Sequence, residues 1–153
     1  MDAAAHDQAL NDVRRVVYVR PAEAMAHLQG LVAQAEVLGD EQLMARAYLE
    51  RGVARMKLSS AREGLDDLDR CLAIADPVTD LKMWLSATNA KAVLLQATGR
   101  AVPAVLLLSA ARRRARERGS PHQFGVATNN LAVWLRTLGA FEHAAELYGE
   151  VVD

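Results

Sequence analysis

The chain has 153 residues, of which 52% are hydrophobic and 24% are charged, a balance that excludes an intrinsically disordered protein. Its formal net charge of −1 argues against a global attraction to nucleic acid or to an anionic membrane surface. The single cysteine, Cys71, excludes an internal disulfide, and no apolar run is long enough to span a bilayer. No secretory signal is recognisable either. We therefore expect a cytoplasmic protein without a membrane segment.

The hydrophobic pattern predicts helices and turns throughout. Apolar or small residues recur at spacings of three and four, for example from Phe124 through Leu131 to Leu138. No stretch alternates with the period of two that is typical of a strand. The sequence therefore predicts an all-α fold. The predicted helices cover approximately residues 6–18, 21–37, 41–58, 61–75, 80–98, 101–118, 121–138 and 141–153.

Turn signals separate these helices. Gly39 followed by Asp40 ends one helix and caps the next. Ser60, with Glu63 three residues later, has the form of a capping box. Ser120 is a candidate N-cap because a proline follows it at the first helical position and Gln123 has the reciprocal place. Glycines 99 and 139 lie 40 residues apart and predict two equivalent tight turns.

Small and large residues repeat together with a period of 40. Periods of 20 to 50 residues are typical of solenoids and related arrays. We therefore predict one domain over residues 1–153, built from four antiparallel helix pairs at approximately residues 5–39, 40–78, 79–119 and 120–153. The repeating columns are Val13, Val53, Val93 and Val133; Ala24, Gly64, Ala104 and Ala144; and Leu28, Leu68, Leu108 and Tyr148.

Residues 47–74 and 127–148 resemble tetratricopeptide (TPR) repeats. Gly52, Ala92 and Ala132 match the small residue at the family's eighth position, whereas the first repeat departs from it with Asp12. The 40-residue period, and the Asn-Asn-Leu-Ala sequence at 129–132, are similar to the long repeats of kinesin light chains and of bacterial TPR regulators. The resemblance implies a right-handed solenoid whose first helices line a concave groove that binds a peptide or partner segment.

The valine column falls at the ninth position of that repeat. In the family this position faces the groove, so the resemblance makes Val53, Val93 and Val133 the groove floor. The alternative is that neighbouring first helices pack closely enough to bury these valines as core.

Asparagines at the fifth position are the candidate polar anchors of the groove. Asn89 and Asn129 occupy this position, and Asn130 follows. An amide can both donate to and accept from a peptide backbone. The alternative is an asparagine ladder between repeats that satisfies its own amides. The resemblance implies that the groove rim carries Arg46, Glu50, Gln96 and Arg136.

The same register argues against one known TPR activity. The clamp that holds the carboxylate tails of chaperones has lysine at the fifth position and asparagine at the ninth. Here the ninth is always valine. The fifth holds Ala9, Leu49, Asn89 and Asn129.

Catalytic and metal-binding patterns are not recognisable in the sequence. The four histidines are scattered, and no phosphate loop or nucleophile motif accompanies them. We therefore expect no enzyme activity, no metal and no cofactor. Cys71 and the tryptophans are interpreted as packing residues. The arginines of segment 112–118 are interpreted as a solvated helix end, and nucleic acid is not expected as a partner.

Two functional hypotheses follow. The first is a non-catalytic protein-interaction module, a sensor or scaffold part of a bacterial regulatory protein, which binds a peptide in its groove. The second is self-association into a homodimer through the C-terminal end, where the apolar face of the last helix has no capping helix after it. The same feature suggests a fragment of a longer protein.

Overall fold

The computed structural model describes the backbone of residues 1–152 and the side chains of residues 1–150. This part of the chain consists of helices and turns, with no strand, so the all-α prediction is confirmed. The final residue of the last predicted helix, 153, lies outside the described residues. The helices are α1 (Ala3–Val16), α2 (Pro21–Leu38), α3 (Glu41–Lys57), α4 (Ala61–Ile74), α5 (Leu81–Ala97), α6 (Ala101–Glu117), α7 (Pro121–Thr137) and α8 (Phe141–Val152).

The N-termini of the helices show which of the predicted capping residues make a capping hydrogen bond. Helix α1 begins earlier than predicted because the Asp2 carboxylate caps it, accepting a hydrogen bond of 2.8 Å from the amide of Ala5. Asp40 caps α3 as predicted. Ser60 and Ser120 are N-cap residues, but neither side chain makes a capping hydrogen bond. The capping-box contact predicted at Ser60 is therefore wrong, although the helix boundary is correct.

The tight turns follow the period of 40. Gly99 (φ 72°) and Gly139 (φ 83°) are both left-handed, as the predicted equivalent turns require. The same place one repeat earlier is held by Ser59, which adopts φ 61°. This conformation is sterically unfavourable for a residue other than glycine. The repeat therefore imposes one backbone geometry even where the sequence does not supply a glycine.

Residues 1–90 form one compact unit. Within it α1 packs against α2 and α3, α2 packs against α3, and α3 packs against α4. The approach of α3 to α4 is close, because a Cβ added at Gly52 would lie 3.0 Å from side-chain carbons of Leu68. This is the close approach expected of a small residue at that position. Cys71 is fully buried, and burial raises the pKa of its thiol to about 12, so the packing interpretation is confirmed.

A second compact unit begins at residue 91. Here α6 packs against α7, and α7 packs against α8. Its buried residues are mostly alanines and leucines, such as Ala104, Leu108 and Ala132, which allow helices to lie close together. Every helix among residues 1–152 is too short or too polar to cross a lipid bilayer. The right-handed solenoid and the single domain stay predictions.

Candidate functional site

The predicted rim residues of α3 are engaged with α1. The Arg46 guanidinium donates to the carboxylate of Asp7 and, at 2.8 Å, to Oδ1 of Asn11. Glu50 is only 6% exposed, and its Oε1 lies 3.7 Å from Nε of Arg14. Five polar side chains of two neighbouring helices are therefore joined by hydrogen bonds or ionic contacts, and Arg46 and Glu50 tie α1 to α3.

Burial in the α1–α3 interface disfavours the charged form of the Glu50 carboxyl. Burial raises the pKa of its carboxyl, and the nearby cations Arg14 and Arg46 offset only part of that rise. The folded protein therefore holds the Glu50 proton more tightly than the unfolded chain does. The ion pair with Arg14 compensates only in part, because the Arg14 side chain is 53% exposed.

The valines divide between the two interpretations of their column. Val13 and Val53 are 8% and 5% exposed, which agrees with the core alternative. Val93 and Val133 are half-buried and remain in contact with solvent. The groove-floor role stays a prediction, and only Val93 and Val133 have the exposure that it needs.

The candidate asparagines differ in the same way. Asn89 is 6% exposed, and neither its Oδ1 nor its Nδ2 has a hydrogen-bond partner among the described residues. An unpaired amide in the protein interior is destabilising. Asn129 is exposed and Asn130 is half-buried. The structure thus places one asparagine inside the protein, away from any ligand approaching the surface.

Four predicted site residues form one stripe on α7. Asn129, Val133 and Arg136 lie on successive turns of one helix side, and Asn130, the residue after Asn129, lies about 100° farther round at the edge of that side. The Arg136 side chain is exposed, and neither it nor the two asparagine amides has a side-chain partner among the described residues. We call this stripe the α7 face. Its members are Asn129, Asn130, Val133 and Arg136. The remaining candidate, Gln96, is half-buried on α5.

The arginine segment departs from the solvated helix end that the sequence predicts. Arg112 donates to Oγ1 of Thr128 at 3.2 Å and forms an ion pair with Glu150. Its guanidinium carbon lies 5.1 Å from the ring centroid of Phe124, and that of Arg116 lies 4.8 Å from it on the same ring. Arg113, in contrast, points to solvent as predicted. Two of the arginines thus connect α6 with α7 and α8.

Sequence reasoning missed a buried acid. Asp67 is 1% exposed and accepts two hydrogen bonds from Arg51, at 2.7 and 2.9 Å, and one from Arg55 at 2.7 Å. A signal for it exists in the repeat. Arg51 precedes Gly52 and Asp67 precedes Leu68, so the close contact between Gly52 and Leu68 brings the two charges together. Asp67 is a structural anchor between α3 and α4.

A metal site is not formed by the described residues, which contain no group of three or more histidine, cysteine, aspartate or glutamate side chains placed to hold an ion. No protein-family model matches the chain, and no curated protein is significantly similar to it in sequence.

Proposed function

We propose that the chain is a non-catalytic, TPR-like interaction module that binds a peptide segment of a partner protein through the α7 face. The observation that carries this proposal is the set of polar groups on that face that have no side-chain partner among residues 1–150. Asn129 and Asn130 offer amide donors and acceptors, and Arg136 offers a guanidinium. The internal 40-residue period and the packing of successive helices support the TPR-like character.

The chemical groups of the α7 face indicate which kind of peptide it binds. The amides of Asn129 and Asn130 suit a peptide backbone, which presents one donor and one acceptor per residue. A guanidinium seven residues beyond Asn129 favours a carboxylate on the ligand, about 10 Å along the helix axis. Val133 lies between them and provides a small apolar contact. We therefore expect a peptide that carries an acidic side chain or a terminal carboxylate near one end.

Selection from a phage-displayed library of random linear peptides tests the proposal. The chain is immobilised, and the affinity of an enriched peptide is measured for wild type and for the double variant N129A/N130A. Loss of two hydrogen bonds should weaken binding at least about tenfold. The matched control is Q29A/Q42A, which removes two exposed amides from α2 and α3 and should leave the affinity unchanged.

A second variant separates the guanidinium from the amides. Arg136→Gln should weaken binding about fivefold at low ionic strength and less at high salt, as screening of an exposed charge requires. A folded N129A/N130A protein with wild-type affinity for every enriched peptide would contradict the assignment, and so would a selection that enriches no sequence.

A further inference from the structure

A groove runs along the surface between α1 and α2. Its larger part is a cleft of about 440 Å³ with an apolar floor that includes Val13, Val16 and Leu31. A second cleft, of about 260 Å³, shares Met1 and Gln34 with the first and continues the groove toward the end of α2. We call the two together the α1–α2 groove.

The α1–α2 groove has the dimensions of a helix-binding surface. Its lining runs along α2 from Glu23 to Leu38, about 22 Å at the rise of an α-helix. At its far end Val37 is 88% exposed and Leu38 is 42% exposed. Gly30, in its middle, has no heavy atom within 4 Å of an added Cβ, so the surface there is open. An apolar, open groove of this length fits one helix of four to five turns.

The rim of the groove is acidic at its other end. Asp12 of α1 and Glu23 of α2 line the larger cleft, together with His27. Asp12 accepts a hydrogen bond from Gln8, and Glu23 pairs with Arg20. Both carboxylates belong to exposed residues and are therefore accessible to a further cation. The expected occupant is a helix with an apolar half and a basic end.

Helix α6 presents such a surface. Val102 is 71% exposed and Leu106 is 65% exposed, although both are large aliphatic residues. Ser109 and Arg113 follow them at helical spacing and are also exposed. We call these four residues the α6 stripe. The stripe is apolar at its N-terminal end and basic at its C-terminal end.

We infer that the α1–α2 groove of one copy of this chain binds the α6 stripe of a second copy. The α6 helix would lie antiparallel to α2, which places Val102 and Leu106 beside Val37 and Leu38 and brings Arg113 to the acidic rim. From residue 102 to residue 113 the stripe extends about 16 Å, and an arginine side chain supplies the remaining reach to Glu23.

Charge composition favours this pairing. Residues 1–90 contain 14 acidic and 10 basic side chains, whereas residues 91–153 contain five acidic and eight basic ones. The groove belongs to the acidic part of the sequence and the stripe to the basic part. Two copies therefore attract through unlike surfaces, so the contact is heterologous rather than self-complementary.

Sedimentation equilibrium of the full chain over a range of concentrations tests the inference. Wild type should associate, and Leu106→Glu should lower the association constant at least about 30-fold, because it places a charge in the apolar part of the contact. Val37→Glu should act similarly from the groove side. Arg113→Glu should lower it about fivefold at low salt and less at high salt.

Mixing the two variants gives the sharpest test. A Val37→Glu copy retains its stripe and a Leu106→Glu copy retains its groove, so an equimolar mixture should recover one productive contact that neither variant forms alone. Phe141→Glu is the matched control, since Phe141 is 66% exposed on α8, at the surface of the rival C-terminal mode of association. Its association constant should equal that of wild type.

Three outcomes would overturn the inference. A wild-type chain that stays monomeric up to about 100 μM excludes a second copy as the occupant of the groove. Variants that each remain monomeric and also fail to associate when mixed exclude the pairing of groove with stripe. Dissociation by Phe141→Glu alone, with Leu106→Glu silent, assigns the association to α8.

Discussion

Helices α3 and α7 occupy equivalent places in the 40-residue repeat, but their polar residues are used differently. On α3, Arg46 and Glu50 are committed to partners on α1, and Asp67 of α4 holds Arg51 and Arg55. On α7, Asn129 and Arg136 are exposed and Asn130 is half-buried. A repeating scaffold can therefore use its polar positions for contacts between its own helices in one part and leave them available for binding a partner in another.

The two ion-pair clusters provide the strongest contrast in stability. Asp67→Ala removes a carboxylate that is 1% exposed and leaves two arginines partly buried without a partner, so it should cost about 3–5 kcal/mol. Glu150→Ala removes the partner of Arg112 and Arg116, but its side chain is 39% exposed and the loss should stay below about 1 kcal/mol. Urea unfolding measures both. Equal losses would contradict the contrast.

Much of the fold could be predicted from the sequence, because helix boundaries depend on local signals. Gly39, Gly99 and Gly139 adopt the left-handed turns that they predict, and Asp40 caps α3 as expected. The capping box at Ser60 failed, since the residue pattern indicates where a helix begins but does not require the side chain to bond there.

The candidate site was harder to predict because exposure depends on tertiary packing. Asn89 and Asn129 occupy the same column, yet one is buried and the other exposed. Val53 and Val133 differ in the same direction. A sequence column fixes the place of a residue within its repeat but does not indicate which neighbour covers it. The partners of Arg46 on α1 are likewise set by how two helices pack.

Asn89 and Asn129 allow the difference in burial to be measured. Asn89→Leu replaces an unpaired buried amide with an apolar group of similar size and should stabilise the fold by about 1–2 kcal/mol. Asn129→Leu changes an exposed position and should shift stability by less than about 0.5 kcal/mol. Thermal and urea unfolding report both changes. Destabilisation by Asn89→Leu would indicate that the amide is hydrogen-bonded after all.

Ser59 and Gly99 permit a reciprocal exchange at equivalent turns. Ser59→Gly removes the steric strain of a serine in the left-handed conformation and should stabilise the fold by about 0.5–1 kcal/mol. Gly99→Ser introduces that strain and should destabilise the fold by about 1 kcal/mol. A Cβ added at Gly99 would meet no heavy atom within 4 Å, so Gly99→Ser changes the backbone strain without a steric clash with neighbouring residues. Opposite signs in urea unfolding support the shared geometry, and the same sign for both would refute it.

The raised pKa of Glu50 predicts that the stability of the fold depends on pH. Because its pKa is raised in the folded state, the wild-type protein loses stability as the pH rises from the unfolded value, near 4.3, through the folded value. Glu50→Gln cannot ionise, so its stability relative to wild type should increase as the pH rises above the unfolded value and the wild-type carboxyl loses its proton. Glu146→Gln, an exposed change on α8, is the control. If the difference between the Glu50 variant and wild type does not change with pH, the carboxylate is fully compensated by Arg14 and Arg46, and α3 then bears no cost for burying its polar residues.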